Sequence, residues 1–272
     1  MKLQLLREIR WRALFPPLCS VMLLVWSLQD VRAEPATHVE QPQPHHDSVF
    51  KAASADLANF GRAAATPDFW RSALLISGIS LASAVADKSL DRFAVNHGKS
   101  GIMPGVKTVG SNLPFVAIAY SATMFLSSDA DSKPASTAYS ALAAGGLGAM
   151  SFLSLKYIVG RARPSIEQGS ASFTPISTSN GNTSWPSGHT TVMWAVITPY
   201  AKAYDAPWLY GVAAVTNLAR VAGRDHWFSD TVAGSLLGYA IGDFMWVSHN
   251  TQKHGAQLMI SPNKVAVSWN IE

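Results

Sequence analysis

Apolar segments rich in Ala, Leu and Gly succeed one another along the chain at about 72–86, 113–127, 135–157, 190–204, 207–221 and 231–247. Each is too long for an ordinary strand, and helix punctuation stands at the boundaries: Pro67-Asp68 before the first, Pro134 before the third, Gly188 before the fourth, Pro207 opening the fifth and Asp230 before the sixth. Proline suits a first helical turn because its missing N–H would have no partner there. The pattern predicts an all-α fold, a bundle of about six core helices. An amphipathic stretch around 50–60 is predicted to pack on its outside. Between the third and fourth segments, 160–188 is crowded with Ser, Thr, Asn, Gly and Pro; a loop that long inside a compact domain usually carries function. The last residues, QLMISPNKVAVSWNIE, place a Pro-Asn turn between apolar runs and predict a small C-terminal hairpin.

The start of the chain follows a different rule. Lys2, Arg7, Arg10 and Arg12 precede an apolar run over 18–28, and Val31-Arg32-Ala33 follows. Residues 1–33 thus read as a secretory leader, with an uncleaved membrane anchor as the alternative. Residues 34–49 are rich in Pro, Gln and His without periodicity and read as a flexible segment. Its His38, His45 and His46 lack a defined set of companion ligands, so a solvated tail is expected there. The expected organisation is a leader over 1–33, the flexible segment over 34–49, a helical domain over 50–250 and a tail over 251–272. Export to the cell envelope, with the periplasm favoured, follows from the leader. Cys19 is the only cysteine and lies in the leader's apolar run, which leaves no disulfide or thiol chemistry in the remainder.

Composition adds two restrictions. A chain that is 48% hydrophobic and 14% charged can bury a large core and is not disordered over most of its length. Its formal charge is +4, but five basic and two acidic residues lie in 1–33, so the remainder carries +1 and nothing calls for nucleic acid. Crossing a membrane requires roughly 20 apolar residues, and only 135–155 is comfortably long enough. If the leader is cleaved after export, six complete crossings would also put the third loop in the wrong compartment. Both arguments favour a soluble or peripheral body over an integral one.

Three clusters carry candidate chemistry, and an up-down bundle brings the helix ends that bear them to one side. They are Lys156-Tyr157-Ile158-Val159-Gly160-Arg161-Ala162-Arg163-Pro164, Trp185-Pro186-Ser187-Gly188-His189-Thr190, and the stretch from Arg220 through His226 to Asp230. Lys156, Arg163 and Arg220 border apolar segments, where an unpaired charge is costly to dehydrate, and they outnumber the local acids. A phosphate dianion answers that excess; ordinary helix-end charges are the alternative for any one of them. Ser187 and Gly188 open a helix whose first amides form an anion cradle, with His189 at its rim, placed to protonate a leaving oxygen. His226 and Asp230, four apart, share a helical face and suit a nucleophile with its orienting carboxylate. A buried structural histidine and an N-cap for the last helix are the plainer readings of His189 and Asp230. A metal site is disfavoured because the three cations would oppose it. Gly145-Gly146-Leu147-Gly148 lacks a nucleotide-loop context and reads as close helix packing.

At these spacings the clusters resemble the family of type 2 phosphatidic acid phosphatases, bacterial class A acid phosphatases and vanadium haloperoxidases, a PAP2-like pattern. Lys156 to Arg163-Pro164 and Pro186-Ser187-Gly188-His189 match it completely; the third motif matches at Arg220, His226 and Asp230, with Ala219 where the family has serine. The resemblance covers roughly 70–248. It implies Lys156, Arg163, Ser187, Gly188 and Arg220 as phosphate ligands, His226 as nucleophile, Asp230 as its orienting partner and His189 as general acid. No metal or other cofactor enters that cycle. The expected function is hydrolysis of a phosphomonoester or a lipid phosphate or pyrophosphate through a phosphohistidine, with membrane contact left open. A vanadium-dependent haloperoxidase and a non-catalytic protein that binds anionic lipid in the envelope are the alternatives.

Overall fold

The computed structural model describes residues 49–130 and 132–250, together with the backbone of 256–261 and 264–269. The expected leader, nearly all of the segment after it and the Pro262-Asn263 turn lie outside the described residues. The helices are α1 (Val49–Ala64), α2 (Pro67–Ser83), α3 (Asp87–His97), α4 (Met103–Ser127), α5 (Lys133–Val159), α6 (Gly188–Ala203), α7 (Leu209–Ala222) and α8 (Phe228–Asn250). Two antiparallel strands, β1 (Ala256–Ser261) and β2 (Lys264–Trp269), pair with Ala256 opposite Trp269.

Local chemistry sets several of these boundaries. The hydroxyl of Thr66 accepts from the Phe69 N–H at the start of α2, and that of Ser132 accepts from the Ala135 N–H at the start of α5, each with a proline in the first turn. Gly160 ends α5 in the left-handed region at φ 61°, and a Cβ there would lie 1.7 Å from the Thr174 carbonyl oxygen. Only glycine lets the long loop return so closely over the helix end.

Two boundaries differ from the sequence expectation. The first segment breaks at a 3-10 turn, Ala84–Ala86, and continues as α3, whose first residue, Asp87, is almost fully buried. The second begins at Met103 rather than near residue 113 and runs through Pro114. Its polar residues interrupt the apolar pattern, yet Thr108 and Asn112 donate to the carbonyls of Pro104 and Thr108, so their polarity is met within the helix.

The core is the seam between α6 and α8. Gly234, Gly238 and Gly242 form a stripe on α8, and a Cβ at these positions would lie 2.7, 2.3 and 2.7 Å from the carbonyl oxygens of Ser187, Thr191 and Ala195 on α6. Trp194, Met193, Val232 and Leu236 fill the space beside that stripe. Gly145 and Gly148 of α5 face Val196 and Ala195 of α6, so the glycine-rich run serves helix packing.

The outer helices expose apolar faces. Leu74, Leu81, Val85, Phe115, Leu126 and Leu153 are each more than half exposed. By length and composition three helical stretches can cross a membrane: Pro67–His97, Met103–Ser127 and Lys133–Val159. The sequence reading found one. The difference arises because α2 and α3 continue one another and α4 is longer than its apolar pattern suggested.

Candidate active site

The three motifs converge on a short stretch of the long loop, residues 183–187. Lys156, at the end of α5, donates from Nζ to the Thr183 carbonyl oxygen, and Arg163 donates from Nη2 to the Thr183 hydroxyl at 3.0 Å. The Ser184 carbonyl oxygen lies 2.6 Å from His226 Nδ1, and the Ser187 N–H donates to the Asp230 carbonyl oxygen at 3.0 Å. Arg220, from the end of α7, pairs with Asp225 at 3.2 Å and donates to the Ser111 hydroxyl on α4. Lys156, Arg163, Arg220 and His189 lie near enough to act on one another's charge. His189 also meets Phe115 of α4 edge-on, with ring centroids 5.6 Å apart.

The two arginines share a further feature. Among the described residues, the Nε atoms of Arg163 and Arg220 are buried and have no hydrogen-bond partner. A buried guanidinium donor left unpaired costs free energy comparable to a lost charged hydrogen bond, a cost that an anionic acceptor would relieve. The amides that open α6 at Gly188 have no intrahelical acceptor and carry the positive end of the helix dipole.

Ser187 is held within the protein in this arrangement. Its hydroxyl is fully buried and shares a 2.9 Å hydrogen bond with the Thr190 hydroxyl, and it does not cap α6. Its backbone N–H is engaged by the Asp230 carbonyl oxygen, so of the amides at this helix start only those from Gly188 onward could serve an anion. Ala219, the position that departs from the motif, is fully buried, and a Cβ at Gly110 of α4 would lie 2.6 Å from its own Cβ. Its side chain thus packs against α4.

His226 and Asp230 come together, but not as a simple hydrogen-bonded pair. Asp230 Oδ2 is 3.8 Å from His226 Nδ1, while the Ser184 carbonyl is much closer. A carbonyl oxygen can only accept, so Nδ1 carries the hydrogen and Nε2 is the free base. Asp230 instead accepts from Arg161 Nη1 at 2.5 Å, from the Ser184 hydroxyl at 2.5 Å and from the Trp227 N–H at 2.8 Å. Arg161 and Asp87 were not singled out by sequence reasoning. Arg161 stood inside the first motif, but its partner is remote along the chain and sits in a helix the pattern did not reveal.

Burial dominates the titration of both histidines. Dehydration, with Lys156 and Arg220 adding to it against the pull of Asp230, brings His226 down to about 3. Dehydration, then the charge of Arg220, brings His189 down to about 4. Full burial works against the charged Asp230 carboxylate, yet the nearby His226 imidazole, the charge of Arg161 and the Ser184 hydroxyl hold it below the usual range. In the open site at neutral pH both imidazoles are therefore neutral.

Residues 135–254 match the family model described as the PAP2 superfamily. A stretch of 100 residues is 33% identical to the lipid A 1-phosphatase of Porphyromonas gingivalis, covering 34% of this chain and 20% of that protein. The chain thus spans about a fifth of the length of that relative. No solved structure matches it.

Proposed function

We propose that this chain, whose residues 135–254 match the PAP2 superfamily model, is a phosphatase that removes orthophosphate from a lipid phosphate by way of a phosphohistidine at His226. The observation that carries this reading is the pair of buried, unpartnered Nε donors on Arg163 and Arg220, beside an imidazole whose Nδ1 is already held.

In the first step His226 Nε2 attacks phosphorus in line, forming N–P as the bond to the leaving oxygen breaks. Lys156, Arg163, Arg220 and the amides from Gly188 receive the charge on the equatorial oxygens. The leaving alkoxide takes its proton from His189. That role requires His189 to be protonated, and the arriving phosphate dianion favours protonation by offsetting the three cations that oppose it in the open site. In the second step neutral His189 takes a proton from water, which attacks the phosphohistidine and releases orthophosphate while His226 regains its lone pair. The charge a metal would supply comes from the cations, so the cycle is proposed to be metal-independent.

A lipid substrate is supported by the name of the relative and by the exposed apolar faces of α2, α4 and α5. Those faces also favour a body held in the membrane. The test is orthophosphate release by the full chain in detergent after metal chelation, from phosphatidic acid, an isoprenoid pyrophosphate and a small phosphomonoester. Release from the lipids, with a base-stable, acid-labile phosphoenzyme, is expected. Failure with every substrate, or halide oxidation that depends on added vanadate and peroxide, would overturn the assignment.

A further inference from the structure

We infer that Arg161, braced by Asp87, is a positioning residue that sets the nucleophilic imidazole through Asp230 and Ser184. This rests on the phosphatase reading of the same site and concerns a residue that does not touch the substrate.

Arg161, Asp87 and Asp230 are 5%, 1% and 0% exposed. A guanidinium has five N–H donors, and Arg161 places all of them on protein. Its Nε–H goes to the Ser170 carbonyl, one Nη2 hydrogen to the same carbonyl and the other to Asp87 Oδ2 at 2.8 Å. The two Nη1 hydrogens go to Asp230 Oδ1 at 2.5 Å and to the Ser229 hydroxyl at 2.8 Å. The guanidinium carbon lies 5.7 Å from the rings of both Phe173 and Trp227. Asp87 is braced in turn: its Oδ1 accepts from the Ser229 N–H and its Oδ2 from the Ser229 hydroxyl. Arg161 therefore has no donor left for a phosphate, whereas Arg163, two residues on, has an unpartnered Nε.

The chain of contacts ends at the reacting ring. Arg161 holds one oxygen of Asp230; the other oxygen holds the Ser184 hydroxyl and the Trp227 N–H; Ser184 presents its carbonyl to His226 Nδ1. Trp227 adjoins His226, so the same carboxylate oxygen also pins the backbone beside the imidazole. Two carboxylates around one guanidinium leave a net charge of −1 behind a ring that becomes cationic when phosphorylated. Buried ion pairs of this kind contribute little net stability against a well-packed apolar alternative. Geometric control of the catalytic ring accounts for an arrangement that burial alone does not favour.

The test compares Arg161→Lys and Asp87→Asn with the parent full-length chain in detergent. Lysine keeps the charge but loses the planar fork that joins two carboxylates. With the lipid phosphate that the parent hydrolyses best, Arg161→Lys should lower kcat about 10- to 100-fold, the range typical of groups that orient a functional histidine from behind, with KM within about twofold. Asp87→Asn should lower kcat in the same direction by a smaller factor. Arg163→Lys should instead raise KM. The low-field proton resonance of His226 Nδ1–H, identified by its loss in His226→Gln, should shift or broaden in Arg161→Lys while that of other buried protons stays in place.

Unchanged kcat together with an unchanged Nδ1–H resonance would overturn the inference, and so would a rise in KM alone. If Arg161→Lys does not fold, the kcat and the resonance of Asp87→Asn decide the matter on the same terms. A parent protein without phosphatase turnover would remove the functional reading, while the response of the Nδ1–H resonance would still report whether Arg161 sets the ring.

Discussion

His226 Nδ1 lies 2.6 Å from the carbonyl oxygen of Ser184, while the Asp230 carboxylate stands 3.8 Å from the same nitrogen. The backbone of the long loop therefore determines the tautomer of the imidazole, and the carboxylate acts from behind by holding that loop.

Replacing His226 by Ala is expected to abolish orthophosphate release, because it removes the proposed phosphoryl acceptor, Nε2. Asp230→Asn should leave a reduced rate. It also leaves Arg161 with Asp87 as its sole carboxylate partner among the described residues, so a lower Tm should accompany the loss. Steady-state kinetics and thermal unfolding on the same samples check both; a wild-type rate in His226→Ala removes it as nucleophile.

The His189 imidazole, at about 4 in the open site, should move upward when an anion enters among Arg220, Lys156 and Arg163. Titration of its ring proton by NMR, with and without orthovanadate, reads this directly. The expected result is a higher midpoint with the oxyanion bound. An unmoved midpoint would leave His189 unable to act as the acid near neutral pH.

Acid should destabilise the fold through these buried rings. His226 titrates at about 3 when folded against an ordinary 6.5, and His189 at about 4, so between those values the unfolded chain binds the extra protons. Stability is then fully present above about pH 6.5 and falls as pH drops toward the folded values, by about 1.4 kcal/mol per pH unit for each such group. Thermal unfolding followed from pH 8 to pH 4 should show a declining Tm, and His226→Gln should flatten that decline.

Two glycine substitutions in the bundle should act in opposite directions. A Cβ at Gly238 would lie 2.3 Å from the Thr191 carbonyl oxygen and 2.9 Å from Trp194 Cβ, so Gly238→Ala must part α6 from α8 and cost about 1–3 kcal/mol. Nothing lies within 4 Å of a Cβ at Gly146, and Gly146→Ala should stabilise α5 by up to about 1 kcal/mol. Differential scanning in detergent separates them; equal effects would contradict the close approach at the seam.

The apolar pattern together with the punctuation at Pro67-Asp68, Pro134, Gly188, Pro207 and Asp230 was enough to read most of the helices, because helix starts and stops are settled by neighbours a few residues apart. The motif side chains were legible for a similar reason: cations, histidines and a helix-opening glycine announce their chemistry by type and spacing. What holds the imidazole was not. The Ser184 carbonyl belongs to the backbone, which every residue has, and Asp87 reaches Arg161 across 74 positions of sequence from a helix hidden by a 3-10 break. Contacts of that length exist only after α2 and α3 pack against α8, so residue types and spacing marked the candidate groups while tertiary packing decided which atoms restrain them.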